Sequence, residues 1–286
     1  MISAVVAAFN ENKAIADTVR RIHDVLAASG LGEFEIVVVD DGSGDGTGKL
    51  AEAAGARVVR HPHNIGYGRS LKSGIEAARF DTIVIADADG TYPIERMPEL
   101  IAMYRQGYDM VVGARSGRQY QGGAAKSFMR FLLRLLVEWT TGRRIPDINS
   151  GLRVFSRDTI LGYSKHLCDT FSFTTSATLA YMMTGRFVGY LPIDYGDRIG
   201  KTHVRLSRDS LRTLQFIVQA IIYYNPLKIF LLMSLICVAG AVVSILIGIV
   251  FHLATGFMMG VGTLLVAILI FALGLLADLL RQILGK

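Results

Sequence analysis

Asp87 and Asp89 are the residues whose spacing most directly suggests chemistry. They stand one residue apart, directly after the apolar run 82–86, which predicts a buried strand. Two carboxylates this close repel each other unless a cation lies between them, and a hydrated Mg²⁺ or Mn²⁺ carrying a diphosphate meets that need. The pattern predicts a metal-diphosphate site at a strand end. A solvated acidic turn is the alternative for the triplet taken alone.

The elements that must hold this site alternate between strands and helices. Strand patterns occur at 2–9, 35–39, 57–60 and 82–86, and helical patterns separate them. This alternation predicts an α/β fold with a Rossmann-like, mostly parallel sheet, in which ligands bind beyond the carboxyl ends of the strands. The acidic and glycine-rich clusters all follow strands. We expect Asn12 to cap the first helix.

Two kinds of nucleotide-binding fingerprint are missing from these strand ends. The first strand leads into Asn10-Glu11 rather than into the glycine fingerprint of dinucleotide dehydrogenases, and no Walker-type P-loop occurs. The segment Gly66-Tyr67-Gly68 lacks a third glycine, so a tight turn before a helix explains it equally well.

Composition divides the chain in two. Between Lys228 and Asp278 there is no charged residue, although the formal net charge of the 286 residues is +6. Together with the apolar C-terminal segment, this surplus of positive charge favours the binding of anionic lipid or phosphorylated substrates. It argues against the binding of nucleic acid. Cys168 and Cys237 are the only cysteines, which fits a reducing compartment. The N-terminus runs straight into a strand and lacks the features of a signal peptide.

Six short motifs lie along the first part of the chain. They are Ala8-Phe9-Asn10-Glu11; Val39-Asp40-Asp41-Gly42-Ser43 with Asp45 and Thr47; Asp87-Ala88-Asp89; Val112-Gly113-Ala114-Arg115; Asn149-Ser150-Gly151-Leu152-Arg153; and Arg198-Ile199-Gly200-Lys201-Thr202-His203. As a set they resemble the family 2 glycosyltransferases of GT-A fold, and within them the polyprenyl-phosphate (dolichol-phosphate) sugar synthases. The resemblance implies a cytoplasmic GT-A domain over residues 1–206.

The resemblance also implies roles for these residues. The nucleotide of a nucleotide diphosphate sugar would be held by Phe9, Asn10, Glu11, Asp40, Asp41, Ser43, Arg69, Lys201 and His203, since carboxylates accept from base N–H and ribose O–H groups. The diphosphate and metal would lie at Asp87, Ala88, Asp89 and Thr91. The acceptor phosphate would be bound by Arg115, Arg153, Arg198 and Lys201, which together with both aspartates form the catalytic set. An exposed helix charge is the alternative for Arg69, and surface salt bridges are the alternative for the four acceptor cations.

The chain departs from the family pattern at three positions. Ala7 replaces a proline before the first motif. Thr91 stands where a glutamine is often found. A third ligand of the metal or diphosphate at this position would therefore be a hydroxyl instead of an amide. His203 replaces a terminal lysine and is mostly neutral at pH 7.

The apolar tail predicts two membrane spans. Residues 229–251 and 257–277 are each long enough to cross about 30 Å of hydrocarbon, with a break expected at Ala254-Thr255-Gly256. A buried helix hairpin is the alternative. Lysine and arginine flank the pair but are missing from the loop between them, so the positive-inside rule places both chain ends in the cytoplasm. We therefore expect a multi-pass protein of the inner (cytoplasmic) membrane, with residues 227–286 as the transmembrane region.

Two further segments combine an apolar face with basic residues. One covers 207–226, where Leu214, Val218 and Ile221 recur at helical spacing, and the other covers 128–137. Each predicts an amphipathic helix in the headgroup layer, with an ordinary helix packed on the sheet as the alternative.

These features predict an enzyme that transfers a sugar from a UDP- or GDP-sugar to a polyprenyl phosphate. The reaction would depend on Mg²⁺ or Mn²⁺ and would invert the anomeric carbon, as the family implies. A polysaccharide or glycerolipid acceptor is one alternative, and a non-catalytic sugar-nucleotide-binding membrane subunit is another. The donor base and sugar, the polyprenol length and a homo-oligomeric state stay open.

Overall fold

A computed structural model describes residues 1–116, 134–196 and 206–284 of the chain. The chain divides into two compact units, Met1–Ile217 and Val218–Lys286. The first contains the sheet and the candidate site. The second contains the apolar helices.

The strands and helices of the first unit alternate as expected. The strands are β1 (Ile2–Ala8), β2 (Phe34–Asp40), β3 (Arg57–Arg60), β4 (Thr82–Asp87), β5 (Met110–Ser116), β6 (Arg153–Ser156) and β7 (Val188–Asp194). The helices are α1 (Ile15–Ala28), α2 (Thr47–Ala53), α3 (Tyr67–Ala77), α4 (Met97–Tyr104), α5 (134–141), α6 (Arg157–Gly162) and α7 (Phe173–Met183). Helix α8 (Leu206–Tyr224) crosses into the second unit.

The described strands form one sheet in the order β3-β2-β1-β4-β6-β5-β7. Strands β1, β2, β3 and β4 pair in parallel, as do β5 and β7, whereas β6 runs antiparallel to both of its neighbours. The mostly parallel GT-A-like sheet predicted from the sequence is confirmed. The order also reverses at β1, which has β2 on one side and β4 on the other, and ligands bind at such a switch point.

The pleat of the sheet gives each face its own helices. Alternate residues of β1, including Ala4 and Val6, share a buried core with Val19 and Ile22 of α1. The opposite face carries α3, where an added Cβ on Gly74 would lie 2.5 Å from Val5. Side chains of alternating strand residues therefore point either to α1 or to α3.

The start of α1 differs from the sequence-based expectation. Its N-cap is Ala14, which makes no side-chain capping bond, so the prediction that Asn12 caps this helix is wrong. The Asn12 backbone instead donates to Asp45 Oδ2 at 3.2 Å. The loop before α1 is thus held by its neighbouring loop rather than by the helix.

The second unit contains two long apolar helices, α9 (Pro226–Val250) and α10 (Ala254–Leu284). Each is long and apolar enough to cross a membrane, and only 11% of either hydrophobic window is buried, unlike a helix in a soluble core. The helices contact each other through small residues, with Ser234 Oγ donating to Ala267 O at 2.9 Å. Two apolar helices that fit a hairpin are therefore confirmed.

The break between these helices is displaced from its predicted place. Residues 254–256 are helical, and the chain turns at 251–253, where His252 has φ 52°. Close packing explains the difference, because Gly256 lies against Gly248 and its carbonyl accepts from Ser244 Oγ at 2.8 Å. The glycine serves an interhelical contact instead of ending the helix.

The two segments predicted as interface helices are described in part. Helix α8 covers most of 207–226, with Ile217 and Ile221 buried and Leu214 and Ile222 exposed. In the segment 128–137, residues 128–133 lie outside the described residues. Residues 134–137 belong to α5. A position at the membrane surface stays a prediction for both segments.

Candidate active site

The candidate site lies where β2, β1 and β4 end together. In the sheet register Asp40 pairs with Ala8 and Asp87 pairs with Ala7. Two strand spacings separate the Cα atoms of these two strands by about 10 Å. Because Ala7 and Ala8 point to opposite faces, Asp40 lies on the face of α1 and Asp87 on the face of α3. A ligand at this edge would therefore meet acidic groups from both sides.

Hydrogen bonds join the loop after β1 to the loop after β2. The Asn10 N–H donates to Ser43 Oγ at 3.0 Å, and the Gly44 N–H donates back to Asn10 Oδ1 at 3.1 Å. The Glu11 N–H donates to Thr47 Oγ1 at 2.9 Å. Asn10 has φ 54°, a left-handed conformation that asparagine tolerates better than most residues. The first two predicted motifs thus form one surface, which we name the paired loop.

Asp45 stabilises the middle of the paired loop. Its carboxylate accepts from the Thr47 hydroxyl at 2.5 Å and from the backbone N–H groups of Thr47 and Asn12. Burial acts to raise the pKa of the Asp45 carboxyl, but these hydrogen bonds outweigh it, so the pKa is lowered from its ordinary value. The carboxylate therefore stays ionised and keeps accepting these bonds at neutral pH.

Asp40 and Asp41 are buried and also shape loops. Asp40 Oδ1 accepts from the Ser43 N–H at 3.0 Å. Asp41 accepts from the N–H groups of Ile65 and Gly66 at 3.1 and 2.9 Å, and its Oδ1 lies 2.7 Å from His61 Nδ1. Asp41 therefore holds the segment that leads into α3. Contacts of both residues with a base or ribose stay a prediction.

Asp87 ends β4 between a tyrosine and a glycine. The Tyr67 hydroxyl donates to Asp87 Oδ1 at 2.7 Å. Gly151 is also close to this residue, since an added Cβ on Gly151 would lie 2.5 Å from the same oxygen. Ile85 pairs with Arg153 in the antiparallel ladder, so two residues further along the register brings Gly151 opposite Asp87. Burial and the Asp87 charge raise the pKa of the Tyr67 phenol well above its usual range, which keeps this donor protonated.

Asp89 is buried, and Thr91 fixes it. Its Oδ1 accepts from the Thr91 hydroxyl at 2.6 Å and from the Thr91 N–H at 3.1 Å. Gly90, between Asp89 and Thr91, has φ 74°, a conformation that glycine adopts without strain. The Thr91 hydroxyl thus orients a carboxylate, and direct binding of a metal by Thr91 stays a prediction.

The donor set at this strand end fits a hard divalent cation. Carboxylate oxygens are the ligands that Mg²⁺ and Mn²⁺ prefer, and Asp87 and Asp89 follow one another across a single residue. Among the described residues, no group of three or more His, Cys, Asp or Glu side chains could hold a metal ion. A cation here would therefore complete its coordination with water and with the phosphates of a ligand.

Arg115 and Asp147 form a buried ion pair near the end of β5. Asp147 accepts from Arg115 Nε at 2.7 Å and from Nη2 at 2.9 Å. The guanidinium also lies 5.3 Å from the centre of the Tyr195 ring. Two parallel bonds fix the plane of a guanidinium, so Asp147 determines where Arg115 points. The contact of Arg115 with an acceptor phosphate stays a prediction.

Arg153 lies inside the protein and is held by hydrogen bonds to the chain. Its side chain is fully buried, and Nε, Nη1 and Nη2 each donate at 2.7 Å, to Ser150 O, Thr178 Oγ1 and Ile148 O. Burial lowers the pKa of the guanidinium. Because these nitrogens donate to the chain, Arg153 holds the loop that carries Gly151, and its contact with an acceptor phosphate stays a prediction.

The other predicted site residues have simpler surroundings. Arg69 is exposed, and its N–H donates to Asp169 O at 2.9 Å. Ala88 belongs to the buried core below the site, while Phe9 is half-buried and Glu11 is buried. Arg198, Lys201 and His203 lie outside the described residues.

Several residues that reasoning from the sequence missed contribute to the site. They are Tyr67, Tyr92, Asp147 and Phe171. The Tyr92 hydroxyl accepts from the Gly151 N–H at 2.7 Å, and the Phe171 ring stacks on the Tyr67 ring at 5.9 Å. The one available signal was Tyr67, which stands inside a glycine-rich segment before a helix. Asp147 and Phe171 come from distant parts of the chain, whereas Tyr92 directly follows Thr91.

Comparisons with known proteins agree with this geometry. A family model described as Glycosyl transferase family 2 matches residues 3–165, which is more than half of the chain. The chain is 33% identical over 166 residues to an undecaprenyl-phosphate 4-deoxy-4-formamido-L-arabinose transferase of Pseudomonas aeruginosa (strain LESB58), covering 56% of this chain and 48% of the relative. The transferase of the same name from Klebsiella pneumoniae subsp. pneumoniae is 32% identical, with 56% and 50% covered. The chain thus spans about half the length of the curated relatives it matches.

Solved structures show the same fold. A glucosyl-3-phosphoglycerate synthase from Mycobacterium tuberculosis, in complex with Mn²⁺, uridine-diphosphate-glucose and phosphoglyceric acid, is 22% identical and has a TM-score of 0.63, with 77% of this chain and 79% of that chain covered. The same synthase in complex with phosphoglyceric acid has a TM-score of 0.62 at 22% identity, with the same shares covered. At this identity the likeness concerns the fold.

Proposed function

Because the chain belongs to glycosyl transferase family 2, we propose that it transfers a sugar from a UDP- or GDP-sugar to a polyprenyl phosphate at the cytoplasmic face of a membrane. The observation that carries the proposal is the pair Asp87 and Asp89 at the end of β4, each held by a neighbouring hydroxyl. Oriented carboxylates at a switch point suit a cation that carries a diphosphate.

The lipid acceptor is supported from two directions. The curated relatives are named for a transfer that involves undecaprenyl phosphate. Helices α9 and α10 have the length and composition of membrane spans, which suits an enzyme whose acceptor is a lipid. The positive-inside pattern favours a cytoplasmic site.

The mechanism we propose is a direct displacement at the anomeric carbon with inversion. Asp87 and Asp89 would hold a divalent cation, which would supply positive charge to the departing diphosphate. Tyr67 and Thr91 hold the two carboxylates in place, and the paired loop binds the nucleoside. A phosphate monoester has a second pKa of about 6, so the acceptor is largely dianionic at neutral pH and needs no strong general base. Arg115, oriented by Asp147, and the cations Arg198 and Lys201 place the acceptor phosphate.

The proposal predicts metal-dependent transfer that Asp89→Asn abolishes. The full chain in detergent micelles is incubated with radiolabelled UDP- and GDP-sugars and a short polyprenyl phosphate, with Mn²⁺ or with EDTA. We expect transfer only with Mn²⁺, and a rate reduced at least about 100-fold in Asp89→Asn, because the variant loses one anionic ligand. Asp24→Asn changes an exposed aspartate on α1 and keeps the wild-type rate.

The acceptor is tested in the same assay. Diacylglycerol and an oligosaccharide replace the polyprenyl phosphate in parallel reactions. Transfer to either of these, with none to any polyprenyl phosphate, would contradict the proposed acceptor. Transfer that persists in EDTA or in Asp89→Asn would contradict the proposed metal site.

A further inference from the structure

Tyr67 reaches the candidate metal site because of the sheet register. Asp87 pairs with Ala7, so its side chain lies on the face of the sheet that α3 covers. Tyr67 is the first residue of α3, at the end of that helix nearest the carboxyl ends of the strands. Its hydroxyl donates to Asp87 Oδ1 at 2.7 Å, a short bond between a neutral donor and a charged acceptor.

The ring of Tyr67 is itself held by the segment 167–171. Phe171 stacks on it with the ring centres 5.9 Å apart and the planes 10° apart. The backbone approaches closely here, since an added Cβ on Gly66 would lie 2.8 Å from Asp169 O. The buried Lys72 ties the same segment to α3, with Nζ donating to Leu167 O at 2.6 Å and to Asp169 Oδ1 at 2.8 Å. Tyr67 is thus a fixed donor.

Gly151 also lies against Asp87, since an added Cβ on this glycine would lie 2.5 Å from Asp87 Oδ1 and 2.7 Å from Oδ2. Arg153 and Tyr92 hold the backbone around this glycine, through Ser150 O and the Gly151 N–H. A carboxylate between a fixed hydroxyl and a fixed backbone keeps one orientation. Preorganised ligands bind a metal more tightly, because less freedom is lost when the metal arrives.

We propose that Tyr67 is a positioning residue of the metal site, whose hydroxyl orients the Asp87 carboxylate for the divalent cation. The inference rests on the proposed function, in which Asp87 is a metal ligand. Tyr67 acts through Asp87. Loss of the Tyr67 hydroxyl therefore reduces the gain in nucleotide affinity that the metal provides, while nucleotide affinity without metal stays unchanged.

The test is Tyr67→Phe, which removes only the hydroxyl and keeps the ring for stacking on Phe171. Calorimetric titration of the full chain in detergent micelles gives the affinity for UDP and for GDP, each in Mn²⁺ and in EDTA. The readout is the factor by which Mn²⁺ raises the nucleotide affinity. We expect Tyr67→Phe to reduce this factor about tenfold, a typical loss for an outer-shell partner, with the affinity in EDTA unchanged.

Two further variants make the result decisive. Gly151→Ala disturbs the Asp87 carboxylate directly and is expected to reduce the same factor. Tyr163→Phe removes a tyrosine hydroxyl that bonds Thr184 and Arg186, away from the site, and is expected to leave it unchanged. If Mn²⁺ raises the nucleotide affinity of Tyr67→Phe as much as that of the wild type, but raises that of Gly151→Ala less, the proposed role of Tyr67 is overturned. The role of Asp87 would not be affected by that result. If Mn²⁺ raises neither nucleotide affinity in the wild type, the proposed function itself fails.

Discussion

At the scale of single residues, charge near the candidate site is used mainly to hold the chain in shape. Asp41 and Asp45 accept backbone N–H groups of the loops around them, and Asp147 orients Arg115. A buried carboxylate or guanidinium is stable when its hydrogen bonds are made within the protein. These charges therefore determine the backbone on which Asp87 and Asp89 are displayed.

Arg153 gives a prediction at this scale. We expect Arg153→Lys to lower the free energy of unfolding by about 2 kcal/mol, because an ammonium cannot reach all three acceptors of the guanidinium. This corresponds to a fall of about 4–8 °C in the thermal midpoint measured by near-ultraviolet circular dichroism. Arg20→Lys, at an exposed arginine of α1, keeps the wild-type midpoint. An unchanged midpoint with a raised KM for the acceptor would instead favour the phosphate-binding role predicted from the sequence.

The contrast between Asp87 and Arg153 shows what the sequence could predict at the site. Asp87 and Asp89 were recognisable because the strand before them and the spacing between them are local features. The acceptors of Arg153 include Thr178, which lies 25 residues away on α7. Burial of that kind depends on which helix covers the sheet, and no local pattern records it.

At the scale of elements, the fit of α3 against the sheet determines where Tyr67 lies. Gly74 allows the helix to approach β1 and β2, since an added Cβ would lie 2.5 Å from Val5 and 2.9 Å from Val39. The apolar runs predicted β1 to β4 correctly. The antiparallel direction of β6 was not predictable, because it depends on pairing with β4 and β5 rather than on its own residues.

Gly74→Ala tests this approach. The added methyl group overpacks the contact, and we expect a loss of about 1–3 kcal/mol in the free energy of unfolding. Gly162→Ala is the matched control, because Gly162 is also helical but has no neighbouring atom within 4 Å of an added Cβ. Thermal unfolding of both variants by circular dichroism should separate them. Equal midpoints would show that α3 does not need this close contact.

At the scale of the whole molecule, the chain joins an α/β unit to a pair of exposed apolar helices. Composition alone predicted this division, since the helices contain no charge over about 50 residues. The turn between them was misplaced by a few residues, because Gly256 takes part in a contact with Gly248 that only the folded hairpin contains.

The proposed orientation gives a prediction for the turn. In a chain with Cys168→Ala and Cys237→Ala, we expect Leu253→Cys to react with a membrane-impermeant maleimide added to intact bacterial cells. Ser29→Cys, at the end of α1, should react only after the cells are opened. The reverse pattern would place the candidate site on the outer side of the membrane and contradict the proposed cytoplasmic face.

The hydrogen bonds between the loops after β1 and β2 have a consequence for turnover. Asn10, Glu11 and Asn12 each donate a backbone hydrogen bond to the neighbouring loop. A nucleoside arriving there would meet a surface that needs little rearrangement, so product departure from that end would depend on breaking contacts rather than on opening the protein.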